Sequence, residues 1–276
     1  MTYEIVLQGG FANQLFQLAH ALEYHPLQPD TPIILNKICY NNYHRSEVIS
    51  ALYKEKVTQT ISRSRSIVLH KVLSKSPLPF RILTETSPFE KPIYNFTLGK
   101  NTKIIQVGYF QNYSAITRHR EYIFRALKHF EIQSRTVKSN EIAIHIRRGD
   151  YISNQISNKY HGVPKDEFYI NSYDFILSKY HDAEFTIFSD DIGYARRIFT
   201  GRKVKEFVSP HVKNDINDFV FMSKFSKYVI SNSSFSYIAS LLNAELDFVL
   251  APRSWTSQLL TEETDLKHSK IKFLPI

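Results

Sequence analysis

The sequence predicts an α/β chain of two Rossmann-like domains with parallel sheets, covering residues 1–138 and 139–276. Three observations carry this. A buried-strand pattern, the Gly9-Gly10 turn and a helical pattern follow one another at the start, as in a βα unit. From Glu141 onward apolar strand runs alternate with helical segments, which a parallel sheet covered on both faces requires. Between the halves, Ile132 to Asn140 is polar and reads as a linker.

In order along the chain, Tyr3–Gln8 is the first strand and Asn13–Tyr24 the first helix. Three prolines between His25 and Pro32 end that helix, because proline has no amide proton for a helix interior. Residues 54–103 carry the least pattern. There 62–76 is basic and serine-rich, 76–92 holds four prolines, and surface helices and loops are expected. Lys103–Phe110 reads as a strand, and Ser114–Phe130 as an amphipathic helix that turns Ile116, Ile123, Phe124 and Leu127 inward. Further strands are expected at Glu141–Arg147, Glu184–Ser189, Val204–Val208, Lys227–Ser231 and Asp247–Ala251. Helices are expected at about 166–181, 191–200, 215–226 and 234–243.

A length of 276 residues suits two domains of ordinary size. Apolar residues at 43% and charged residues at 22% exclude a disordered, collagenous or coiled-coil chain. No apolar run approaches the roughly 18–20 residues of a membrane span. The opening MTYEIVLQGG lacks the basic-then-apolar pattern of a secretory leader. Lys plus Arg exceeds Asp plus Glu by 35 − 26 = 9, which favours an anionic partner: nucleic acid, a phosphorylated substrate or an anionic membrane. The aromatic residues sit in strands and amphipathic helices as core residues do, which argues against a single-strand nucleic-acid grip. Cys39 is the sole cysteine, so no intrachain disulfide forms, and His and Cys show no metal-ligand spacing. The Asn95, Asn112 and Asn232 tripeptides that match a glycosylation acceptor are read as coincidences of composition.

Four motifs sit where strands end, and a fifth opens a helix. His145-Ile-Arg147-Arg148-Gly149-Asp150 closes one strand, with His145 and Arg147 on one face and two guanidinium groups suited to a phosphate. Asp190-Asp191 ends the next, as a helix cap plus a carboxylate able to hold a ribose or a metal. Ser231-Asn232-Ser233-Ser234-Phe235 precedes a helix whose free amides make an anion site. Asp215 and Asp218 open another helix, where a carboxylate could accept from the N1 and N2 donors of guanine. Gly9-Gly10-Phe11-Ala12-Asn13-Gln14 lets a ligand approach the backbone and supplies neutral amides, without the lysine of a P-loop. Each alone has a plain structural reading as a cap, a turn or a salt bridge. Together they describe a nucleoside diphosphate bound in a cleft.

The ordered set GGFANQLFQLA, VGYFQNY, HIRRGDY, YHGVPKDEFY, FSDD, NDFVFMS and SNSSFS resembles the bacterial α-1,2-fucosyltransferases of glycosyltransferase family 11. The likeness covers about residues 3–255 and fades across 54–100. It implies a GT-B-type fold with two sheets facing a cleft, a GDP-fucose donor, inversion at the anomeric carbon and no metal or other cofactor. It implies a galactose 2-hydroxyl of a glycan as acceptor, in surface glycan and O-antigen synthesis. By the same resemblance Arg147 and Arg148 hold the diphosphate beside His145 and Asp150, and Asp218 meets guanine. Ser233, Ser234 and Phe235 lie at the donor with Asp190, and Asn13 faces the leaving group. Ala12 stands where the family has glycine, Tyr237-Ile238 where it has an aromatic pair, and Gln155 where some relatives carry a glutamate base. The base is therefore open among Asp150, His161 and Glu167, the last two on the acceptor side. A different GDP-sugar or acceptor is the alternative. The chain is expected in the cytoplasm, with basic segments 62–75 and 118–138 as candidates for peripheral contact with an anionic membrane.

Overall fold

The computed structural model describes residues 2–24, 33–40, 49–52, 57–61, 80–84, 103–128, 135–153, 159, 161–209, 215–257 and 270–273. The chain divides into two compact units, Met1–Ala126 and Leu127–Ile276, where the sequence reading divided it after residue 138. The helix Arg120–Lys128 runs across this division, so the polar stretch after it lies inside the second unit.

The first unit holds five parallel strands: β1 (Thr2–Val6), β2 (Ile33–Asn36), β3 (Val57–Ile61), β4 (Phe80–Thr84) and β5 (Lys103–Val107). Their order in the sheet is β3-β2-β1-β5-β4. Helix α1 (Phe11–Tyr24) follows β1, α2 (Ile49–Leu52) precedes β3, and α3 (Tyr113–Arg118) and α4 (Arg120–Lys128) follow β5. Residues 54–103 were expected as surface helices and loops, and the structure corrects this by placing β3 and β4 there. Val57, Thr58, Thr60 and Ile61 are β-branched and favour a strand, but the sheet partners that fix both segments lie outside them in sequence. The expected strand to Phe110 stops at Val107, because Gly108 at φ 141° and Phe110 at φ 50° turn the chain away. The single helix expected over Ser114–Phe130 is two, broken at His119, whose backbone is no longer helical at φ −100°, ψ 12°. Asn112 caps α3 by accepting from Ala115 N at 3.2 Å.

Side chains lock this sheet from within. Glu4, 0% exposed on β1, pairs with Lys103 Nζ of β5 at 2.6 Å and accepts from Asn36 Nδ2 of β2 at 2.9 Å. Tyr3 OH donates to Gln106 Oε1 at 2.9 Å, and Gln106 Nε2 donates to the Gln17 carbonyl at 3.1 Å, fastening β5 to α1.

The second unit holds β6 (Glu141–Ile146), β7 (Glu184–Ser189), β8 (Glu206–Val208), β9 (Lys227–Val229), β10 (Phe248–Ala251) and β11 (Ile271–Phe273), all parallel. The order β11-β10-β9-β6-β7-β8 reverses between β6 and β9, as in a doubly wound sheet. The reversal in the first sheet falls between β1 and β5. Helices α5 (Gly149–Ser153), α6 (Asp166–Lys179), α7 (Ile192–Ile198), α8 (Asp215–Met222) and α9 (Ser234–Leu242) connect the strands. Every residue of β6 is buried, since helices cover both faces. Ile142, Ile144 and Ile146 pack with Phe168, Tyr169, Tyr173 and Ile176 of α6 and with Tyr194, Ala195 and Ile198 of α7. Each such side chain contributes about 1.5–3 kcal/mol through burial. Short elements at β2, β11 and α5 lack a pattern long enough to be anticipated. The fold is α/β of GT-B type, with two Rossmann-like parallel sheets.

Lys103→Met strips the buried Glu4 carboxylate of its cation and should destabilise the protein by about 3 kcal/mol in urea unfolding. Adding Glu4→Gln should restore part of that loss, because the uncompensated charge is gone. Equal stability of Lys103→Met and wild type would show that this ion pair does not matter.

Candidate functional site

In the second unit the site grows from the reversal in strand order. β6 ends at Ile146 and β9 at Val229, so the HIRRGD and SNSSF segments leave the sheet side by side at its carboxyl edge. His145 bridges them. Its Nδ1 lies 2.8 Å from Ser236 Oγ and 3.0 Å from Ser231 Oγ. Ser236 Oγ also reaches the Ser233 carbonyl at 3.4 Å, a bond only the hydroxyl proton can make. A serine hydroxyl can donate or accept, so this pair satisfies Nδ1 in either neutral tautomer. Burial, with the Arg147 charge adding to it, pushes the His145 pKa down to about 3, so the imidazole is neutral.

The two arginines that follow are braced by the two aspartates at the end of β7. Arg147 Nη1 lies 2.7 Å from Asp190 Oδ2, and Asp190 Oδ1 accepts from the Arg148 backbone amide at 2.8 Å. Arg148 Nε lies 3.4 Å from Asp191 Oδ2, and its guanidinium stacks 3.6 Å from the centre of the Tyr194 ring. Asp191 Oδ1 accepts from Tyr194 N at 2.9 Å and caps α7. Asp190 thus acts on the arginines. Gly149 makes room for it: a Cβ there would lie 2.5 Å from Asp190 Oδ2. Tyr194 OH donates in turn to Asp166 Oδ1 at the start of α6.

Across the reversal, Ser233 caps α9 by accepting from Phe235 N. The Ser234 hydroxyl opens that helix and has no partner among the described residues. The Phe235 ring stands 5.6 Å from His145 and meets Phe219 edge-on at 5.2 Å. Asp218, beside Phe219 on α8, is 9% exposed. His161 is half-buried and stacks on Tyr151 at 4.4 Å, and Arg147 lies 5.6 Å from that same Tyr151 ring. The Asn232 amide holds the His161 turn: Nδ2 donates to the His161 carbonyl at 2.9 Å and to the Trp255 carbonyl at 3.1 Å. Tyr237, the aromatic member of the Tyr237-Ile238 pair, is buried against Trp255. His161 is thereby brought to the Tyr151 ring that Arg147 also meets. Glu167 is not: it is exposed in the first turn of α6, where a carboxylate favours the helix N-terminus. Asp150 lies in the first turn of α5, but its side chain and that of Asp215 lie outside the described residues, as does Gln155.

In the first unit Asn13 is half-buried on the first turn of α1. Gln14, expected to offer its amide outward, is 0% exposed, and Nε2 donates to Tyr40 OH at 2.9 Å. Tyr40 OH donates to the Gly9 carbonyl at 2.5 Å. Gln14 therefore braces the glycine turn, whose Gly9 sits at φ 78°. Sequence reasoning missed Ser231, Ser236, Gly149 and Gln111 as supports. Their spacing within the motifs was visible, but their partners are tertiary.

No group of three or more His, Cys, Asp or Glu able to hold a metal occurs among the described residues. Asp190 and Asp191 are taken up by the arginine pair and the helix cap.

His20, buried against Phe110 at a ring distance of 4.2 Å, is also held neutral, with its pKa pushed down to about 4 by burial against the opposing pull of Glu23. Both imidazoles are neutral in folded and unfolded chain above about pH 6.5. Below it the unfolded chain takes up protons first, so stability falls as pH drops from about 6.5 towards 4. At pH 5 each ring accounts for up to about 2 kcal/mol. The melting temperature should decline over this range, and His145→Gln should flatten the decline. A variant curve parallel to wild type would contradict the assignment.

Residues 88–271 match the family model for glycosyl transferase family 11. The chain is 26% identical over 266 residues to an alpha-1,2-colitosyltransferase of Escherichia coli, covering 90% of each. It is 26% identical over 281 residues to the O-antigen biosynthesis glycosyltransferase WbnK of Escherichia coli, covering 90% of this chain and 93% of that protein. The solved structure of E. coli heptosyltransferase WaaC with ADP superposes with a TM-score of 0.52 at 10% identity, over 99% of this chain and 92% of that one. The segments that build the second-unit site, HIRRGD, FSDD and SNSSF, all fall inside the matched region, and the chain belongs to glycosyl transferase family 11.

Proposed function

We propose that the protein transfers L-fucose from GDP-β-L-fucose to a galactose 2-hydroxyl with inversion, in the assembly of a surface glycan such as an O-antigen. The observation that carries this is a pair of braced arginines at the carboxyl end of β6, next to the start of α9, where the strand order reverses. Ligands of open α/β sheets bind at such reversals. In this reading Arg147 and Arg148 meet the diphosphate with charge-assisted bonds, and Ser234 and the α9 amides add neutral donors. The acceptor oxygen attacks the anomeric carbon as the bond to the phosphate oxygen breaks, and GDP leaves with the negative charge that these donors stabilise. The hydroxyl proton passes to a base. His161 is the candidate best supported, through its stack with Tyr151 beside Arg147. Asp218 accepts from guanine, and Asn13 donates to the substrate. No metal is assigned, because the paired aspartates already serve protein groups.

A second reading keeps the chemistry and changes the sugar to another GDP-linked one. Its support is the similarity to an alpha-1,2-colitosyltransferase. A panel of GDP-sugars against galactosides, read as GDP release with and without EDTA, tests both. GDP-fucose should be the preferred donor, with turnover unchanged by the chelator. Preference for a different GDP-sugar would favour the second reading, and the absence of any GDP-sugar transfer would overturn both.

Arg147→Ala should lower transfer by two or more decades, the scale of about 2.7–4 kcal/mol for a lost transition-state donor. It should also weaken GDP, while Lys at this position should recover little, because an ammonium cannot form a bidentate fork. Near-normal turnover of Arg147→Ala would remove Arg147 from the site.

A further inference from the structure

The first sheet reverses its strand order between β1 and β5, and two side chains meet over that point. Gln111 Nε2, from the loop after β5, donates to Asn13 Oδ1, from the first turn of α1, at 3.1 Å. The loop is bent to make this contact. Phe110 holds a left-handed φ of 50°, unusual for an aromatic residue, and the Asn112 amide closes back on the Phe110 carbonyl at 2.6 Å around Gln111. Phe110 is anchored by burial at 3% exposure and by its stack on His20. Such outliers persist only where surrounding structure holds them, and they concentrate at functional sites. On its other side Asn13 presses on Gly9, where a Cβ would lie 2.8 Å from Asn13 Nδ2.

We propose that Gln111 is a positioning residue that fixes the rotamer and the sense of the Asn13 amide, so that Asn13 meets the substrate as a hydrogen-bond donor. An amide can present either its oxygen or its NH2 group. With Oδ1 taken by Gln111, and no acceptor for Nδ2 among the described residues, the group offered is the NH2. It suits an oxygen that carries or gains negative charge, such as a phosphoryl or leaving-group oxygen. The inference rests on the transferase reading above and adds to it a residue outside the donor motifs.

The test is Gln111→Glu. A carboxylate cannot donate to Asn13 Oδ1 and accepts from Nδ2 instead, which reverses the amide. GDP release is measured for wild type, Asn13→Ala, Gln111→Glu and the double variant, with the melting temperature of each. Gln111→Glu should lower kcat 10- to 100-fold, with the KM for the GDP-sugar within threefold. In the Asn13→Ala background the same change should cost less than twofold, because its action runs through Asn13. Unchanged kcat in Gln111→Glu, or losses that multiply in the double variant, would overturn the proposal. The amide is also read without turnover. The side-chain 15NH2 pair of Asn13 should shift in Gln111→Glu, and an unmoved pair would overturn the proposal even if no GDP-sugar is transferred. A shifted pair in a protein that transfers no GDP-sugar would keep the positioning role and discard the transferase reading.

Discussion

His145 Nδ1 lies 2.8 Å from Ser236 Oγ and 3.0 Å from Ser231 Oγ, and both serines lie across the point where the second sheet reverses its strand order. The strands β6 and β9 are themselves paired over only Ala143↔Tyr228 and Ile144↔Val229. Past that pairing the imidazole continues the connection to the carboxyl edge. It fixes where Arg147 leaves β6 and where Ser233 begins α9, so the spacing of cation and helix start follows from one ring. A charged imidazole would disturb this, since Arg147 stands two residues along. Burial keeps it neutral.

The arginines illustrate how a cationic site is held rigid. Asp190 receives both the Arg147 side chain and the Arg148 backbone, and Asp191 holds Arg148 while capping α7. Two carboxylates and two guanidinium groups balance at this edge, so the attraction for an anion comes from directed donors more than from net charge. Rigidity has a steric condition at Gly149, where any side chain would strike the Asp190 carboxylate. Stacking on Tyr194 leaves Arg148 few orientations, and Tyr194 is held in turn by Asp166. A preorganised donor loses little on meeting its ligand.

Much of this was legible in the sequence, for identifiable reasons. Glu184–Ser189 announces itself by an apolar run of strand length, and β7 spans those same residues. HIRRGD and SNSSF could be assigned to strand ends because glycine, serine and aspartate break the apolar pattern there. β3 and β4 could not be read, because five residues between basic or proline-rich stretches carry no period, and their pairing partners lie elsewhere. Gln14 and Gln111 were equally opaque. One amide turns inward to Tyr40 and the other reaches 98 residues back to Asn13, and composition does not distinguish those fates. Local chemistry marks a site, while its supports are set by topology.

The outermost described strands of the second sheet, β8 and β11, are three residues each. An edge strand exposes unpaired amides and carbonyls to any passing chain, and a long flat one recruits further strands. Here the edges are short and guarded by charge. Glu206 of β8 is paired with Arg135 at 2.6 Å, the Arg196 guanidinium lies over Phe207 at 4.7 Å, and Lys272 sits in the middle of β11. In a chain with 20 phenylalanines and 17 tyrosines, the margins of this sheet therefore offer little template for intermolecular sheet growth.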